Sequence, residues 1–304
     1  MGGFPVIMVT GGTGFVGRHL VRELVNQGYP VRAFVRNIPK AKEILPENVE
    51  LVKGDITDRD SLNRACEGIK TVINLVSIIR ETDELTYEKV NVEGILNAVI
   101  SSEQAGVKRF IHLSALGAHD NALYRYTYSK WLGEEAIKQS GLSWIILRPS
   151  VIYGCGFNFF DRLLQAVKLF PPPFVPVPGK GTTLFQPIAV EDVVKCLIKA
   201  LKAPAMSGQV YEIGGPEHLS YNQMLEMLLQ VEDIKRVKLK IPMFLMNMIV
   251  PFMTKLLKDP PVTPEELKQL HNDNITELDS VPRHFGFKPK PLSQGLKNPV
   301  PAGK

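Results

Sequence analysis

The chain has 304 residues and a mass of 33.9 kDa, with 44% hydrophobic and 22% charged residues, ordinary proportions for a globular protein that buries a large core. Its formal charge of +5 and pI near 9.0 are mildly basic. Lys and Arg are nevertheless interspersed with Asp and Glu, which argues against a nucleic-acid-binding stripe and suits a phosphate-bearing cofactor or an anionic substrate or surface. Cys66, Cys155 and Cys196 are odd in number and widely spaced, without a CxxC pair or a His cluster; they read as small buried hydrophobes in a reducing compartment, with no metal site.

From the N-terminus the chain turns straight into a strand, leaving no room for a secretory signal, and Gly2 is followed by Val6 where a myristoylation signal wants Ser or Thr. The expectation is a cytoplasmic protein. Short apolar runs then alternate with helical patterns: strands are predicted over 6–10, 31–36, 50–53, 71–75, 109–114 and 143–148, and helices over 16–27, 61–66, 87–105 and 126–139. Six strands joined by helical crossovers make a doubly wound parallel sheet of the Rossmann type, whose ligands sit at the carboxyl ends of the strands. After Arg148 the regularity breaks. Pro171, Pro172, Pro173, Pro176 and Pro178 forbid a helix or central strand, and with Gly179 and Gly181 they predict a loop. Beyond it we expect a helix over 190–201, a strand over 209–213, a helix opened by Ser220, proline-punctuated helical fragments and a loose tail from Asn298 to Lys304. The resulting α/β organisation is a dinucleotide-binding domain over 1–150 and a smaller, mostly helical C-terminal part over 151–304 that binds substrate or a partner, with some segments returning to the first domain.

The strongest motif is Gly11-Gly12-Thr13-Gly14-Phe15-Val16-Gly17, between the first strand and the first helix. Its early glycines allow a tight turn, Gly14 lets backbone approach a pyrophosphate, and Gly17 permits close packing of helix on strand. The helix N-terminus offers unpaired N–H groups and a favourable dipole to that anion. The second strand chooses between cofactors. An NAD enzyme ends it with an acid that holds the ribose 2′-hydroxyl, whereas this strand runs into Arg36, which can grip a 2′-phosphate. We therefore expect NADPH (NADP) rather than NAD, with Lys40 and Lys42 adding positive field. Asp55 and Ile56 follow the third strand, where Asp55 either accepts from the adenine amino group or caps the next helix.

Taken together, TGGTGFVG at Thr10 to Gly17, GDITD at Gly54 to Asp58, YTYSK at Tyr126 to Lys130, RPSVIYG at Arg148 to Gly154 and QPIAVEDV at Gln186 to Val193 resemble the extended and atypical branch of the short-chain dehydrogenase/reductase superfamily, the NAD-dependent epimerase/dehydratase-like proteins. The remaining third, with Pro260-Pro261-Val262-Thr263, is similar to bacterial relatives of the NADPH-binding accessory subunit of respiratory complex I. The resemblance implies that Tyr126 exchanges a proton with the substrate oxygen. Lys130, four residues on and on the same helical face, lowers its pKa and holds the nicotinamide ribose. Tyr128 faces another side of the helix. Active members carry a Ser or Thr just beyond the fifth strand; here Ser114 takes that place, or Ala115 if the register lies one residue further on, which would leave the site incomplete. The resemblance also places Val76 and Ser77 beside the cofactor ribose and Pro149, Ser150 and Val151 at the nicotinamide. It casts Asn91 as a brace for the sheet and Arg148 as a structural pairing, while Asp192, in the stretch Val190 to Val193, reads as an acid favoured by the dipole at a helix N-terminus.

The apolar stretch from Ile241 to Leu257 holds four of the nine methionines and contains Pro251, so it is too short and broken for a membrane span. It reads as a cover over a substrate pocket, as a surface that docks peripherally on a membrane or protein complex, or as an oligomer interface. The expected function is that of an NADPH-binding oxidoreductase acting on a carbonyl or alcohol of a small, apolar substrate. The alternatives are a non-catalytic structural or assembly factor and a nucleotide-sugar epimerase or dehydratase.

Overall fold

The computed structural model describes residues 5–156, 159–257 and 259–297; Gly2 and the tail expected from Asn298 to Lys304 lie outside the described residues. In chain order the elements are β1 (Ile7–Thr10), α1 (Phe15–Asn26), β2 (Val31–Val35), α2 (Ile38–Ile44), β3 (Glu50–Lys53), α3 (Arg59–Cys66), β4 (Thr71–Asn74), a π-helical turn (Glu88–Glu93), α4 (Gly94–Gln104), β5 (Arg109–Leu113), α5 (Arg125–Lys138) and β6 (Ser143–Pro149). There follow β7 (Ile152–Tyr153), α6 (Phe159–Leu169), β8 (Phe174–Pro178), β9 (Leu184–Phe185), β10 (Ile188–Ala189), α7 (Val190–Lys202) and β11 (Gln209–Ile213). The chain ends with β12 (Leu219–Ser220), α8 (Tyr221–Val231), β13 (Val237–Ile241), α9 (Met243–Leu256), α10 (Pro264–Gln269), α11 (Ser280–Phe285) and α12 (Leu292–Lys297).

These elements form two units, residues 1–149 with 190–212, and residues 150–189 with 213–304. The first unit is built on a seven-stranded sheet in the order β11-β6-β5-β4-β1-β2-β3. The pairings of β1 with β2 and β4, and of β5 with β4 and β6, are parallel. β11 is the strand the sequence reading did not count in the sheet. The strands are buried runs because helices cover both faces, so apolar side chains occur without alternation, as in Ile7–Thr10 and Thr71–Asn74. α1 turns Leu20, Val21 and Leu24 into the core at helical spacing. Met8, Phe34, Leu62, Val72, Ile95, Phe110 and Ile146 share one cluster. The strand order reverses between β1 and β4, the point where an open α/β sheet leaves a crevice at its carboxyl edge.

One helix departs from expectation. The stretch predicted as one helix over 87–105 is wound as a π-turn from Glu88 to Glu93 before α4 begins. The widened turn carries Asn91 inward, where its amide is fully hydrogen-bonded, a local gain that offsets poorer backbone packing.

In the second unit Tyr153, Phe160, Leu163, Val175, Val177, Met224, Leu225 and Leu228 make the core. Buried Gln186 donates to the Gly215 carbonyl at 2.8 Å and accepts from the Thr276 amide at 2.7 Å. Ser220 opens α8 with a reciprocal capping box to Gln223. α6 falls where the sequence showed no regular element. The proline-rich stretch expected as a loop is also corrected: Phe174–Pro178 is a strand paired in parallel with Val237–Ile241. The ribbon has two strands, so each has an open edge. Gly179 donates to Ile241 at 2.7 Å, and counting back by twos gives Val177 and Val175 the inward donors. Pro176 and Pro178 then face the open edge, where no N–H is needed. Among the described residues no helix is long and apolar enough to cross a membrane.

Candidate functional site

At the carboxyl edge of the first unit, a cleft enclosing about 210 Å³ is lined by the segments that follow four neighbouring strands. Gly11, Thr13 and Gly14 come after β1, Arg36 after β2, Gly54, Asp55 and Ile56 after β3, and Leu75, Val76, Ser77 and Ile78 after β4. Eight of the residues singled out from the sequence for a cofactor therefore meet in one place.

The glycine loop explains its own sequence. Gly11 sits at φ +72°, a left-handed conformation that side chains resist, and its carbonyl accepts from the Gly14 amide at 3.0 Å. A Cβ on Gly17 would come within 2.1 Å of the Gly11 carbonyl oxygen, so α1 can start this close to β1 only with glycine there. Gly12 and Gly17 act in packing and do not line the cleft; nor do Phe15 and Val16, which belong to the first turn of α1. No side chain caps α1 and its first turn holds no acid. The N–H groups of that turn are thus left for an anion, and the loop fits a dinucleotide pyrophosphate.

Arg36 is exposed on the cleft wall and forms no ion pair among the described residues. Lys40 and Lys42 are exposed on α2, outside the cleft lining. Of the two roles open to Asp55, helix capping is excluded. Asp58 caps α3 through the amides of Asp60 and Ser61, while Asp55 accepts from the amide and hydroxyl of Thr57 at 2.9 and 2.8 Å. Phe34, Val35, Leu85 and Val90, to which the sequence reading gave no part in the site, complete the lining with apolar surface.

Tyr126 and Lys130 lie on α5, one turn apart. The Tyr126 phenol is hydrogen-bonded with Ser77 of the cleft wall, and Ser77 in turn donates to Asn91 Oδ1 at 3.2 Å. Asn91 also holds the Ile78 backbone and donates to Ser129 at 3.0 Å, so it ties the segment after β4 to α5. Lys130 is buried and donates from Nζ to the Leu113 carbonyl at 3.1 Å. Burial pulls its ammonium down to about 8, against the attraction of Glu134. The expectation that Lys130 brings the phenol down is not met. Burial pushes Tyr126 up to about 12, with the Ser77 hydrogen bond acting in the opposite sense.

Ser114 follows β5 and is buried, but its hydroxyl donates to Glu134 Oε1 at 2.5 Å. Arg148 grips the same carboxylate in a two-point contact, from Nε at 2.9 Å and from the guanidinium terminus at 2.7 Å. Glu134 went unnoticed in the sequence, although it stands four residues after Lys130 on the same helix face. A second buried network lies beside it. Thr10 donates to Asn74, whose amide meets His112 Nδ1 at 3.1 Å. Since the amide nitrogen donates, His112 Nδ1 accepts and the ring proton sits on Nε2. Burial, then the Lys130 charge, hold His112 well below its usual range.

Pro149 ends β6, and its carbonyl accepts from Leu116 at 2.9 Å. Ser150 and Val151 open the second unit. The Ser150 hydroxyl is engaged with Asn274 at 2.7 Å and with the Gln186 amide, and the Val151 carbonyl accepts from Ile188. These three residues are not among those that line the cleft. Tyr128 stacks on Trp131 and takes no part in the network, and Asp192 lies in the first turn of α7, paired with Lys195 at 2.9 Å.

Comparison with known proteins follows this geometry. The NAD(P)H-binding family matches residues 11–154. The chain is 32% identical over 250 residues to the mitochondrial NADH dehydrogenase [ubiquinone] 1 alpha subcomplex subunit 9 of Arabidopsis thaliana, covering 78% of this chain and 61% of that protein. It is 33% identical over 201 residues to the ceramide reductase of Caulobacter vibrioides, covering 66% of this chain and 62% of that one. The match thus spans about three fifths of the length of either relative. In fold, the UDP-glucuronic acid 4-epimerase of Bacillus cereus, solved with UDP-glucuronic acid and NAD, superposes with a TM-score of 0.74 at 22% identity over 97% of each chain. The sheet order, the glycine loop and these likenesses agree: the chain carries an NAD(P)H-binding domain with a fold like that of the extended short-chain dehydrogenase/reductases.

Proposed function

We propose that this protein binds NADPH in the cleft of its first unit and uses it to reduce a carbonyl on a small, apolar substrate. The observation that carries the cofactor choice is Arg36, a cation on the cleft wall without a protein counter-ion among the described residues. A 2′-phosphate supplies that counter-ion, and a guanidinium fork suits it better than a ribose hydroxyl. The nicotinamide, when bound, supplies the hydride.

The chain's own part in the reaction is a proton and its position. Tyr126 at about 12 keeps its proton at neutral pH and can give it to a substrate oxygen as that oxygen gains negative charge, which favours the reducing direction. Lys130, still mostly protonated at pH 7 with a value of about 8, places a cation one turn away. Asn91 and Ser77 fix the phenol from the cleft side. An apolar, lipid-like substrate is supported by the likeness to a ceramide reductase.

A second reading is favoured by Ser114. Its hydroxyl is committed to a buried carboxylate, which leaves the reacting oxygen without the donor that active relatives use and fits an NADPH-binding structural or assembly factor. The Arabidopsis relative, named as a subunit of a larger complex, supports the same reading. An epimerase or dehydratase is disfavoured by Arg36, since such enzymes retain NAD. Anaerobic oxidation of NADPH in the presence of long-chain ketones separates these readings. Reductase activity that Tyr126→Phe abolishes, with NADPH affinity intact, supports the proposal. A protein that binds NADPH tightly and turns over no ketone supports the structural reading.

A further inference from the structure

The positive charge that is interspersed over most of the chain has one concentration. From Ile234 to Lys258 there are six basic residues, Lys235, Arg236, Lys238, Lys240, Lys255 and Lys258, and no acid. The formal charge of the entire chain is +5, so removing these six leaves a remainder of −1. The described part of this segment holds β13 and α9 of the second unit.

α9 is apolar on two sides. One side packs inward, with Met246 and Val250 buried against Leu267 and with Met243 and Met253 beside them. The other does not. Phe244, Met248 and Phe252 succeed each other at steps of four, with Leu245, Ile249 and Leu256 alongside, and all six are between 38% and 70% exposed. A helix that is hydrophobic all round is normally buried all round. Six large apolar side chains on one face amount to a contiguous patch of the kind that marks an interaction surface.

Charge decides what covers it. Lys255 lies on the outward face, one turn beyond Phe252, and Lys240 is exposed just before the helix. Lys235 is exposed at the start of the segment, while Lys238 is paired with Glu226. A second copy docking face to face would bring two such basic rims together. A neutral apolar pocket would leave the lysines unmatched. A bilayer with anionic headgroups satisfies both features, since apolar side chains enter the acyl boundary while lysines reach the headgroups. The 14 residues of α9 span about 21 Å, less than a hydrocarbon core, so the helix lies on the membrane and does not cross it.

We infer that the outward face of α9, with its lysine rim, docks the second unit onto anionic lipid bilayers. This assignment stands independently of the cofactor and of turnover. The test is co-sedimentation of the full chain with vesicles of phosphatidylcholine alone and of mixed phosphatidylcholine and phosphatidylserine, at low and high salt. The expected result is binding to the mixed vesicles, weakened by salt. It should fall about fivefold for each lysine replaced among Lys235, Lys240 and Lys255, and about tenfold or more in the exposed-face variant Phe244→Ser/Phe252→Ser. Circular dichroism melting confirms that each variant is folded. Failure of the folded wild type to bind mixed vesicles overturns the assignment, as does equal binding to both vesicle types that ignores the variants. A concentration-dependent dimer that Phe244→Ser/Phe252→Ser dissolves, or saturable binding to an acidic protein with none to vesicles, also overturns it.

Discussion

Replacing Arg148 by methionine removes the partner of a carboxylate that has no exposure to solvent. Glu134 then keeps the Ser114 hydroxyl and a contact with Lys138 at 3.6 Å, but loses both guanidinium hydrogen bonds. Breaking a buried pair from one side costs about 3–5 kcal/mol, because the remaining charge stays buried. Lys138 is partly exposed and can supply some compensation, which places the expected cost near the lower end, about 3 kcal/mol. For a unit of this size that lowers the melting temperature by about 6–12 °C. The double variant Glu134→Gln/Arg148→Met removes the charge as well and leaves a side-chain amide oxygen able to accept from Ser114, so most of the loss should return. The assay is thermal unfolding followed by circular dichroism on wild type, both single variants and the double. Two results refute the reasoning: a single Arg148→Met variant within about 1 kcal/mol of wild type, or a double variant no more stable than that single one.

Three further outcomes follow from the same geometry. In Gly17→Ala the new Cβ meets backbone at 2.1 and 2.7 Å, whereas in Gly12→Ala it meets the side chains of Val21 and Ala33 at 3.4 and 3.5 Å. The first should lose about 1–3 kcal/mol of stability and most of its cofactor affinity, the second much less, as read by melting and dinucleotide titration. Lys130 is held at about 8, below its ordinary 10.5, so the folded state binds fewer protons than the unfolded one between those values and stability gains from Lys130 as pH rises through them. Lys130→Met should therefore show its largest relative stabilisation below pH 8 and lose it towards pH 10.5 in denaturant melts. His112, held well below 6.5, works in the same sense on the acid side: stability is lost as pH falls below 6.5, and His112→Gln should flatten that limb.

The first half of the chain was legible because a parallel sheet covered on both faces writes itself as short apolar runs, and because the tight turn at Gly11 and the close packing at Gly17 leave a fixed glycine spacing between the first strand and the first helix. Elements failed where tertiary context decides. Pro176 and Pro178 argue against a strand unless its outer edge is open, and nothing local says that β13 will pair with it. The π-turn is invisible to a period of 3.6, since its gain is a set of hydrogen bonds from Asn91 to residues distant in sequence. At the site, Arg36 and Asp55 could be placed from strand ends alone, and Ser77 from the family resemblance. The engagement of Ser114 could not, since Glu134 and Arg148 reach it from a helix and a strand 20 and 34 residues further along the chain.

The most direct test of the account is a titration of the wild type and Arg36→Ala with NADPH and NADH at matched ionic strength. The account predicts that wild type prefers NADPH. It further predicts that Arg36→Ala weakens NADPH by about 10–100-fold, the loss of a charge-assisted hydrogen bond to the 2′-phosphate, while leaving NADH unchanged. A wild type that binds NADH more tightly, or an Arg36→Ala variant that weakens both dinucleotides equally, would contradict it.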